Sequence, residues 1–584
     1  MKKTLAMLLL VGMLVSTLVG CSVDLEDRGP VIKMYLTSQP TNLDPALMIY
    51  DKDTVKYTGL MFEGLTEIST SGSIDKGLAA NWYTDYNDKK GEYKLFIELK
   101  TSEWNDGRAL SADHFAWAWK RILSPETQSP AASLLFDVKN AKAAKAGDVT
   151  IDNVGIAAVS QTLLEIEFEK AIDAELFLET LASPSLVALR DDVVGVTDKV
   201  DTWATVGTDD CLSNGPFALK GRVPNGLYRL EMNSYYLGLS AFEEGYMKYV
   251  KPYRLLTDYS YDLDEQLELY NNGELYYLGD LSKDNYTKYQ DKLTTQDLLS
   301  SFTYYFDCTN SVLSNAKVRQ ALSLALDRTQ IASIIGRGAK AATGFVTNGV
   351  YGSSMGTSFR QEAGDLYSTS ANAEQAKSLL SSAGVSGGSF TLTYRIDRDY
   401  DKEIANYAKG VWEKLGFKVK LVPLSRNEYV TALTSGDFDV IGLDYQGLTT
   451  SAYSYLAPFA TAYSGNVVSV DDDSKGYTPH VTGLENAEYD AMVDSILDKT
   501  SRADRAKILV ELEKKFNELC PATALCFYTD YYMASSDLKN LRSSQFGYRI
   551  FDDVMLNNYQ EINKVYYSVL ESIAQSSLDA ASKK

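Results

Sequence analysis

The sequence of 584 residues has few of the side chains that bind metal ions or carry out nucleophilic catalysis. It contains only two histidines, His114 and His480, and they lie far apart in the chain. There is no HExxH motif and no compact cluster of cysteine and histidine, which argues against a zinc site. There is also no Gly-Lys dipeptide, so the chain has no Walker A phosphate-binding loop. We therefore expect neither a metal nor another cofactor.

Nucleophilic catalysis is likewise not indicated. Two stretches match the pattern G-x-S-x-G, "GSSMG" at 352–356 and "GVSGG" at 384–388. A nucleophile elbow needs a strand before it and a helix after it, whereas "GVSGG" follows a helical pattern and precedes a strand-like one. The other stretch lies in a loop-like region. Both are interpreted as turns, and the chain is predicted not to be an enzyme.

Cysteine is scarce, and acidic residues outnumber basic ones. Besides Cys21 there are four cysteines, Cys211, Cys308, Cys520 and Cys526. Outside the cytoplasm they can form one or two disulfides or remain thiols, and the sequence does not decide between these. The net charge is −21, so the protein repels nucleic acid and no nucleic-acid partner is expected.

The amino-terminal segment is an uncharged run of apolar and small residues. "TLAMLLLVGMLVSTLVG" follows Lys2 and Lys3 and precedes Cys21. A membrane span usually needs about 20 apolar residues. The basic start favours the interpretation that residues 1–20 are a signal peptide. An uncleaved helix remains the alternative.

The end of this segment, Leu18-Val19-Gly20-Cys21, resembles the lipobox of bacterial lipoproteins. In that class the cysteine sulfur is acylated and the chain before it is removed; two or three acyl chains anchor a protein stably where one is marginal. The resemblance implies that Cys21 is a lipid anchor, that 21–29 is a tether, and that the protein lies on the extracytoplasmic face of the bacterial cell membrane.

The remaining chain is long enough for several domains and shows alternating strand and helix patterns. Strands are predicted at 31–38 and 163–169, and helices at 113–123, 317–335 and 501–519, the last with Ile508, Leu512, Phe516 and Leu519 on one face. Ser111 or Asp113 is available to cap the helix at 113–123. Between about 385 and 445 the order is strand, helix, strand, helix, strand. This alternation predicts an α/β fold, with mixed sheets flanked by helices and binding at a cleft between lobes.

Several stretches, in order and spacing, resemble one known family. The most diagnostic is "WNDGRALSADHF" at 104–115, accompanied by "QPTNLDPA" (39–46), "NGPFALKG" (214–221), "VRQALSLALDR" (318–328) and "GDFDV" (436–440). Together they are similar to the family 5 extracellular solute-binding proteins, the oligopeptide-binding receptors of ABC importers. The resemblance covers roughly 38–535.

The resemblance implies a periplasmic-binding-protein fold of the Venus flytrap type, with two main lobes and an inserted one. Lobe I takes 30–62, 190–298 and 533–575, lobe II takes 63–189, and lobe III takes 299–532. A monomer would enclose its ligand as the lobes close and would pass it to ABC permease and ATPase subunits. The leading ligand is a peptide held through its backbone. The alternatives are a non-peptide solute, and a peptide-sensing lipoprotein that serves no permease.

The resemblance also places the ligand contacts. They fall on Ile49, Tyr50, Asp51, Ala131, Tyr304, Tyr305, Gly442, Leu443, Asp444, Tyr445, Gln446 and Leu448.

The sequence departs from the family at the stretch expected to bind the peptide's amino group. The family's motif G-W-x-A-D-Y corresponds to "DYQGLTTSAYSYL", where the aspartate's place falls on Leu448 and the tryptophan's on Tyr445. The family tyrosine after "SP" is Ala131. A buried ammonium facing leucine is costly. Either Asp444 takes over this role, or the ligand has no free amino terminus; the plainer interpretation is that Asp444 only ends a strand.

Overall fold

A computed structural model describes residues 28–40, 42–50, 53–69, 72–194, 211–238, 249–466 and 476–581. No helix within these ranges has the length and apolar character to cross a membrane.

Twenty-one strands are described. They are β1 Val31–Tyr35, β2 Thr66–Ile68, β3 Ile74–Lys76, β4 Ala79–Asn87, β5 Glu92–Leu99, β6 Ile156–Ser160, β7 Leu163–Glu167, β8 Phe217–Arg222, β9 Leu227–Met232, β10 Arg254–Asp258, β11 Tyr277–Leu278, β12 Thr294–Phe306, β13 Lys340–Ala341, β14 Gly388–Arg395, β15 Phe417–Leu424, β16 Val440–Gln446, β17 Ala522–Ala534, β18 Leu538–Lys539, β19 Arg542–Ser543, β20 Arg549–Ile550 and β21 Met555–Leu556.

The helices are named by their bounds. The α-helices are Thr54–Met61, Ala112–Leu123, Ala141–Lys145, Ala174–Thr180, Asp191–Val194, Leu263–Asn271, Lys283–Tyr289, Ala316–Leu324, Arg328–Ile335, Phe359–Ala363, Ala373–Ser382, Asp401–Glu413, Arg426–Ser435, Tyr453–Leu456, Ala487–Leu497, Arg502–Leu519 and Tyr559–Ala581. Short 3-10 helices cover Pro45–Tyr50, Ala132–Leu135, Ile151–Asn153, Pro184–Leu186, Tyr236–Gly238, Gln290–Lys292, Ala457–Phe459 and Thr461–Tyr463.

One large mixed sheet runs through the molecule in the order β15-β14-β16-β12-β17-β11-β1-β10-β9-β8, with β13 paired to β17. Its two longest strands, β12 and β17, are antiparallel and join the two halves of the sheet. Their pairing shifts register between Asp297 and Ser301, and such an irregularity bends a strand. The α/β fold with mixed sheets flanked by helices is confirmed. The division into three lobes stays a prediction, and we keep its names for the segments.

The alternation predicted between 385 and 445 is confirmed. β14 pairs in parallel with β15 and with β16. The helix Asp401–Glu413 connects β14 to β15 and buries one face, including Ile404, Ala408 and Trp412. Parallel strands need a crossover connection of this kind, because a short hairpin can join only antiparallel strands.

The lobe II segment contains its own four-stranded sheet, β4-β5-β7-β6. The predicted helix at 113–123 is observed as Ala112–Leu123, and Trp119 is buried on its inner face. Ser111 begins this helix, and its backbone N–H donates to Nδ1 of His114 at 3.0 Å. The indole N–H of Trp104 donates to the same nitrogen at 3.2 Å. One of the two histidines is thus part of a helix cap.

One detail of the sequence interpretation is wrong. The predicted helix at 317–335 is two helices, because Asp327 caps the second one by accepting the N–H of Gln330 at 2.8 Å. In the helix Arg502–Leu519 the predicted face is confirmed: Leu512 and Phe516 are buried in the core, and Ile508 and Leu519 are partly buried against the same core.

The question of disulfides left open above is answered for three of the four cysteines. Cys308, Cys520 and Cys526 are free thiols.

Candidate functional site: a charged cleft

A cavity of about 390 Å³ lies between the lobe I and lobe III segments. We call it the charged cavity. It is lined by Thr37, Ser38, Asp53, Lys56, Leu263, Gly279, Asp280, Leu298, Ile335, Arg337, Arg395, Asp397, Arg398, Asp399, Tyr400, Arg426, Asp444, Tyr528, Thr529, Asp530 and Tyr531. A second, wide cavity of about 730 Å³ adjoins it and shares Arg395 and Arg426 with it.

Both walls of the charged cavity are formed where parallel strands end. On the lobe I side, Ser38 follows β1 and Asp280 follows β11, which is parallel to β1. On the lobe III side, Arg395 ends β14 and Arg426 follows the parallel strand β15. The carboxyl ends of parallel strands are the usual place for a ligand in α/β proteins, so this cleft is the candidate site.

On the lobe I wall, two carboxylates accept hydrogen bonds from hydroxyl groups. Asp53 accepts from Thr37 at 2.7 Å and from Ser38 at 2.9 Å. Asp280 accepts from the hydroxyl of Tyr531.

On the lobe III wall, aspartates alternate with arginines in "RIDRD", residues 395–399, and pair with arginines. Arg395 holds Asp397 through two bonds of 2.9 and 2.6 Å. Arg337 holds Asp399 at 2.7 Å. The Arg395 guanidinium outweighs the effect of burial and keeps the pKa of Asp397 below its ordinary value.

The innermost pair on this wall is Arg398 with Asp444. Nη1 of Arg398 lies 2.6 Å from Oδ1 of Asp444, and Nη2 lies 2.9 Å from Oδ2 of Asp401. The hydroxyl of Tyr528 donates to Asp444 at 2.6 Å, and Tyr400 lies 3.1 Å from that hydroxyl. One guanidinium therefore serves two carboxylates.

This arrangement changes the protonation of the cluster. Burial raises the pKa of Asp401 to about 6; the positive charge of Arg398 opposes that rise, and the nearby Asp444 adds to it. Burial acts to lower the pKa of Arg398, but the two carboxylates hold it well above its ordinary value. Arg398 is therefore a permanent cation.

The wide cavity carries fewer charges. Tyr429 and Val430 line it from the helix Arg426–Ser435, and Gln128 and Pro130 line it from lobe II. Its histidine, His480, packs against Phe459 with ring centres 4.3 Å apart. Burial lowers the pKa of His480 to about 3, so it contributes a neutral ring at physiological pH.

Contacts across the cleft already join its two sides. Nε of Arg337 donates to the carbonyl of Leu281 at 3.0 Å, and Nζ of Lys283 donates to the carbonyl of Ile334 at 2.8 Å. Among the residues that the structure describes, no group of three or more His, Cys, Asp or Glu side chains is placed to hold a metal ion.

Of the predicted ligand contacts, Asp444 lines the charged cavity. Its strand neighbours Gly442, Leu443, Tyr445 and Gln446 are buried along β16.

Other predicted contacts lie in packed interior and line neither cavity. Tyr304 packs against Trp412, and Tyr305 packs against Phe459. The remaining two, Ala131 and Leu448, are buried.

The side chains of three predicted ligand contacts and of the predicted anchor cysteine are not among those that the structure describes. Cys21 and Asp51 lie outside the described residues, and Ile49 and Tyr50 are described only as backbone of the 3-10 helix Pro45–Tyr50.

Sequence reasoning missed most of the cavity's charged residues. Arg337, Arg426 and the pair Arg395 and Arg398 come from three separate places in lobe III. The one available signal was the alternation of charge in "RIDRDYD" directly after a predicted strand.

Comparison with known proteins agrees with this architecture. The family model described as bacterial extracellular solute-binding proteins, family 5, matches residues 74–466. The chain is 26% identical to the oligopeptide-binding protein OppA of Bacillus subtilis over 87% of this chain and 90% of that one. It is also 26% identical to the periplasmic murein peptide-binding protein MppA of Escherichia coli, over 80% of this chain and 85% of that one.

A solved structure supports the fold directly. The OppA of Listeria monocytogenes, solved bound to peptide, superposes with a TM-score of 0.73 at 20% identity, covering 91% of this chain and 99% of that one. The predicted periplasmic-binding-protein fold is confirmed. The chain belongs to the bacterial extracellular solute-binding proteins of family 5, which act outside the cytoplasm and are binding proteins rather than enzymes.

Proposed function

We propose that this protein is a lipid-anchored receptor that captures peptides in the cleft between lobes I and III and delivers them to an ABC importer. The observation that carries the proposal is the charged cavity. It lies where parallel strands of both halves of the sheet end, and it continues into the wide cavity. Each of the two cavities has a volume within the range of about 300–1,000 Å³ that is usual for ligand pockets.

The relatives support a peptide as the ligand. Two relatives of nearly full length are named for binding oligopeptides and murein peptides. A peptide also suits the cleft chemically, because its amides are both donors and acceptors and both walls present polar side chains.

The ligand test uses full-length protein purified without unfolding. Native mass spectrometry is expected to show a bound peptide, released when the protein is denatured. Ligand-free refolded protein should then bind peptides by calorimetry, and its radius of gyration should fall as the lobes close. A bound solute that is not a peptide, or binding with no compaction, would contradict the proposal.

A variant of the cleft makes this test specific. Arg337→Met removes the bond to the carbonyl of Leu281 across the cleft and is expected to weaken peptide affinity by about tenfold, because a charge-assisted hydrogen bond contributes a few kcal/mol at most. The matched control is Lys377→Met, since Lys377 is exposed and pairs with Glu374 on its own helix. Equal loss in both variants would argue against ligand capture at this cleft.

The anchor is tested by Cys21→Ser. Removing the sulfur that would carry the lipid is expected to move the protein from the membrane fraction to the medium or periplasm. Cys308→Ser, the same exchange at a thiol of lobe III, should leave the protein in the membrane fraction. If Cys21→Ser stays membrane-bound, the apolar segment is a span.

Delivery is tested in cells. Loss of the gene should reduce uptake of labelled peptide, and the wild-type gene should restore it. Unchanged uptake would favour the alternative of a peptide-sensing surface protein.

A further inference from the structure

Arg398 lies at the inner end of the charged cavity, between two carboxylates. Its side chain is 11% exposed, while those of Asp444 and Asp401 are 8% and 1% exposed. The rings of Phe302 and Tyr400 lie 5.8 and 5.5 Å from the guanidinium carbon. These contacts fix the guanidinium in place.

Arg398 occupies the position that a ligand's ammonium group would need. The aspartates at 397, 399 and 444 on this wall each have an arginine of the protein beside them. An ammonium that bound Asp444 would have to displace Arg398, and separating one partner of a buried ion pair costs several kcal/mol. A free amino group is therefore disfavoured at the aspartates of this wall.

Arg398 also has hydrogen-bond donors to spare. Its Nε has no hydrogen-bond acceptor within the described part of the chain, and its Nη1 touches Asp444 without an aligned hydrogen bond. A buried donor without an acceptor costs about 1–3 kcal/mol. A ligand oxygen would remove that cost only by reaching one of these two atoms, which are buried beneath the surface of the charged cavity in this structure.

We propose that Arg398 determines specificity: the ligand presents a hydrogen-bond acceptor to it, not a free ammonium. This inference rests on the proposed function of peptide binding. Two parts of a peptide supply such an acceptor, the carbonyl of an acylated amino end and the terminal carboxylate. Asp444 then serves to hold Arg398 rather than the ligand.

The test is a competition within one mixture. A synthetic library of tetrapeptides is made in four forms, with the amino end free or acetylated and the carboxyl end free or amidated. Ligand-free full-length protein is incubated with the mixture, and the bound forms are identified by mass spectrometry.

Wild type is expected to retain acetylated forms at least tenfold over their free-amino twins. If the acceptor is the acyl carbonyl, peptides that are acetylated and amidated are retained. If the acceptor is the terminal carboxylate, those peptides are lost, and acetylated peptides with a free carboxyl end are retained. Equal or better retention of free-amino twins would overturn the inference while supporting the proposed function. Retention of no form would contradict the proposed function, and the inference with it.

Variants identify the residue responsible. Arg398→Met exposes Asp444 to the cavity and is expected to shift retention at least tenfold toward free-amino twins, and adding Asp444→Asn should abolish that shift. Arg108→Met, at an exposed ion pair between the lobe II and lobe I segments, is the control and should leave the ratio unchanged.

If Arg398→Met does not fold, the Asp444→Asn variant tests the inference by itself. The inference expects it to leave the ratio of the twins unchanged. A tenfold loss of free-amino peptides in Asp444→Asn would show that Asp444 binds the ammonium, and the inference would be wrong.

Discussion

Two buried ion pairs of lobe III, each between an arginine and a carboxylate, have different roles. Arg360 meets Glu513 through two parallel bonds of 2.7 and 2.6 Å, and Glu513 also accepts the backbone N–H groups of Phe345 and Val346. Arg398 instead divides its guanidinium between Asp444 and Asp401 beside a cavity.

The two pairs differ in whether the arginine lines a cavity that a ligand can enter. Glu513 is fully buried and surrounded by donors from its own lobe. Nε of Arg360 also lacks an acceptor within the described part of the chain, but neither residue of this pair lines the charged cavity. Arg398 lines the charged cavity and keeps donors without aligned acceptors. A buried ion pair in the core specifies structure, whereas one that opens on a cavity can also select a ligand.

The largest expected effect is on stability. Arg360→Met leaves Glu513 buried without its cation, and we expect the free energy of unfolding to fall by about 3–5 kcal/mol. Arg398→Met should cost less, because Asp444 keeps the hydroxyl of Tyr528 and faces a cavity that admits water. Urea unfolding of both variants measures this. A larger loss in Arg398→Met would mean that the pair at the cavity is the more structural one.

A smaller effect is expected at ion pairs that join lobe II to lobe III. Arg505 holds Asp137 through two bonds of 2.8 and 2.7 Å, and this pair lies outside the charged cavity. If these lobes separate when the cleft opens, Arg505→Met should weaken ligand binding by about tenfold with no change in the ratio of acetylated to free-amino peptides.

The control for this prediction is the exposed pair Lys170–Asp498, whose side chains are 53% and 59% exposed. Solvent screening makes such pairs weak, so Lys170→Met should change affinity by about twofold or less. Calorimetry at low and high salt measures the change in affinity for each variant. Equal changes in Arg505→Met and Lys170→Met would mean that lobes II and III do not separate.

The sequence predicted the elements better than the site, for physical reasons. β14, the helix Asp401–Glu413 and β15 were found because local periodicity determines them. Tyr304 and Tyr305 line neither cavity, and a tyrosine on a strand has the same sequence pattern whether it meets a ligand or a core ring. Arg337 and Arg398 are 61 positions apart, and only tertiary folding brings them to one wall. The position of Leu448 where the family has an aspartate was visible in the sequence, but the pairing of Asp444 with Arg398 was not.

The smallest expected effect is a change in the pH dependence of stability, and it concerns Asp401. Its pKa is about 6 in the folded protein because it is buried, against 3.8 ordinarily. Between about pH 4 and pH 6 the native state therefore binds more protons than the unfolded state, and Asp401 lowers the free energy of unfolding as the pH rises through that window. Asp401→Asn removes this contribution, so the difference in stability between variant and wild type should move in the variant's favour from pH 4 to pH 6 and stay constant above.

Asp397→Asn is the matched control on the same wall. The pKa of Asp397 is lowered by Arg395, so its stabilising contribution is lost only below the ordinary carboxyl range and its difference curve should be flat from pH 4 to pH 6. Urea unfolding at a series of pH values gives both curves. A flat curve for Asp401→Asn would show that Arg398 fully compensates the burial of Asp401, leaving the guanidinium committed to the protein rather than available to the ligand.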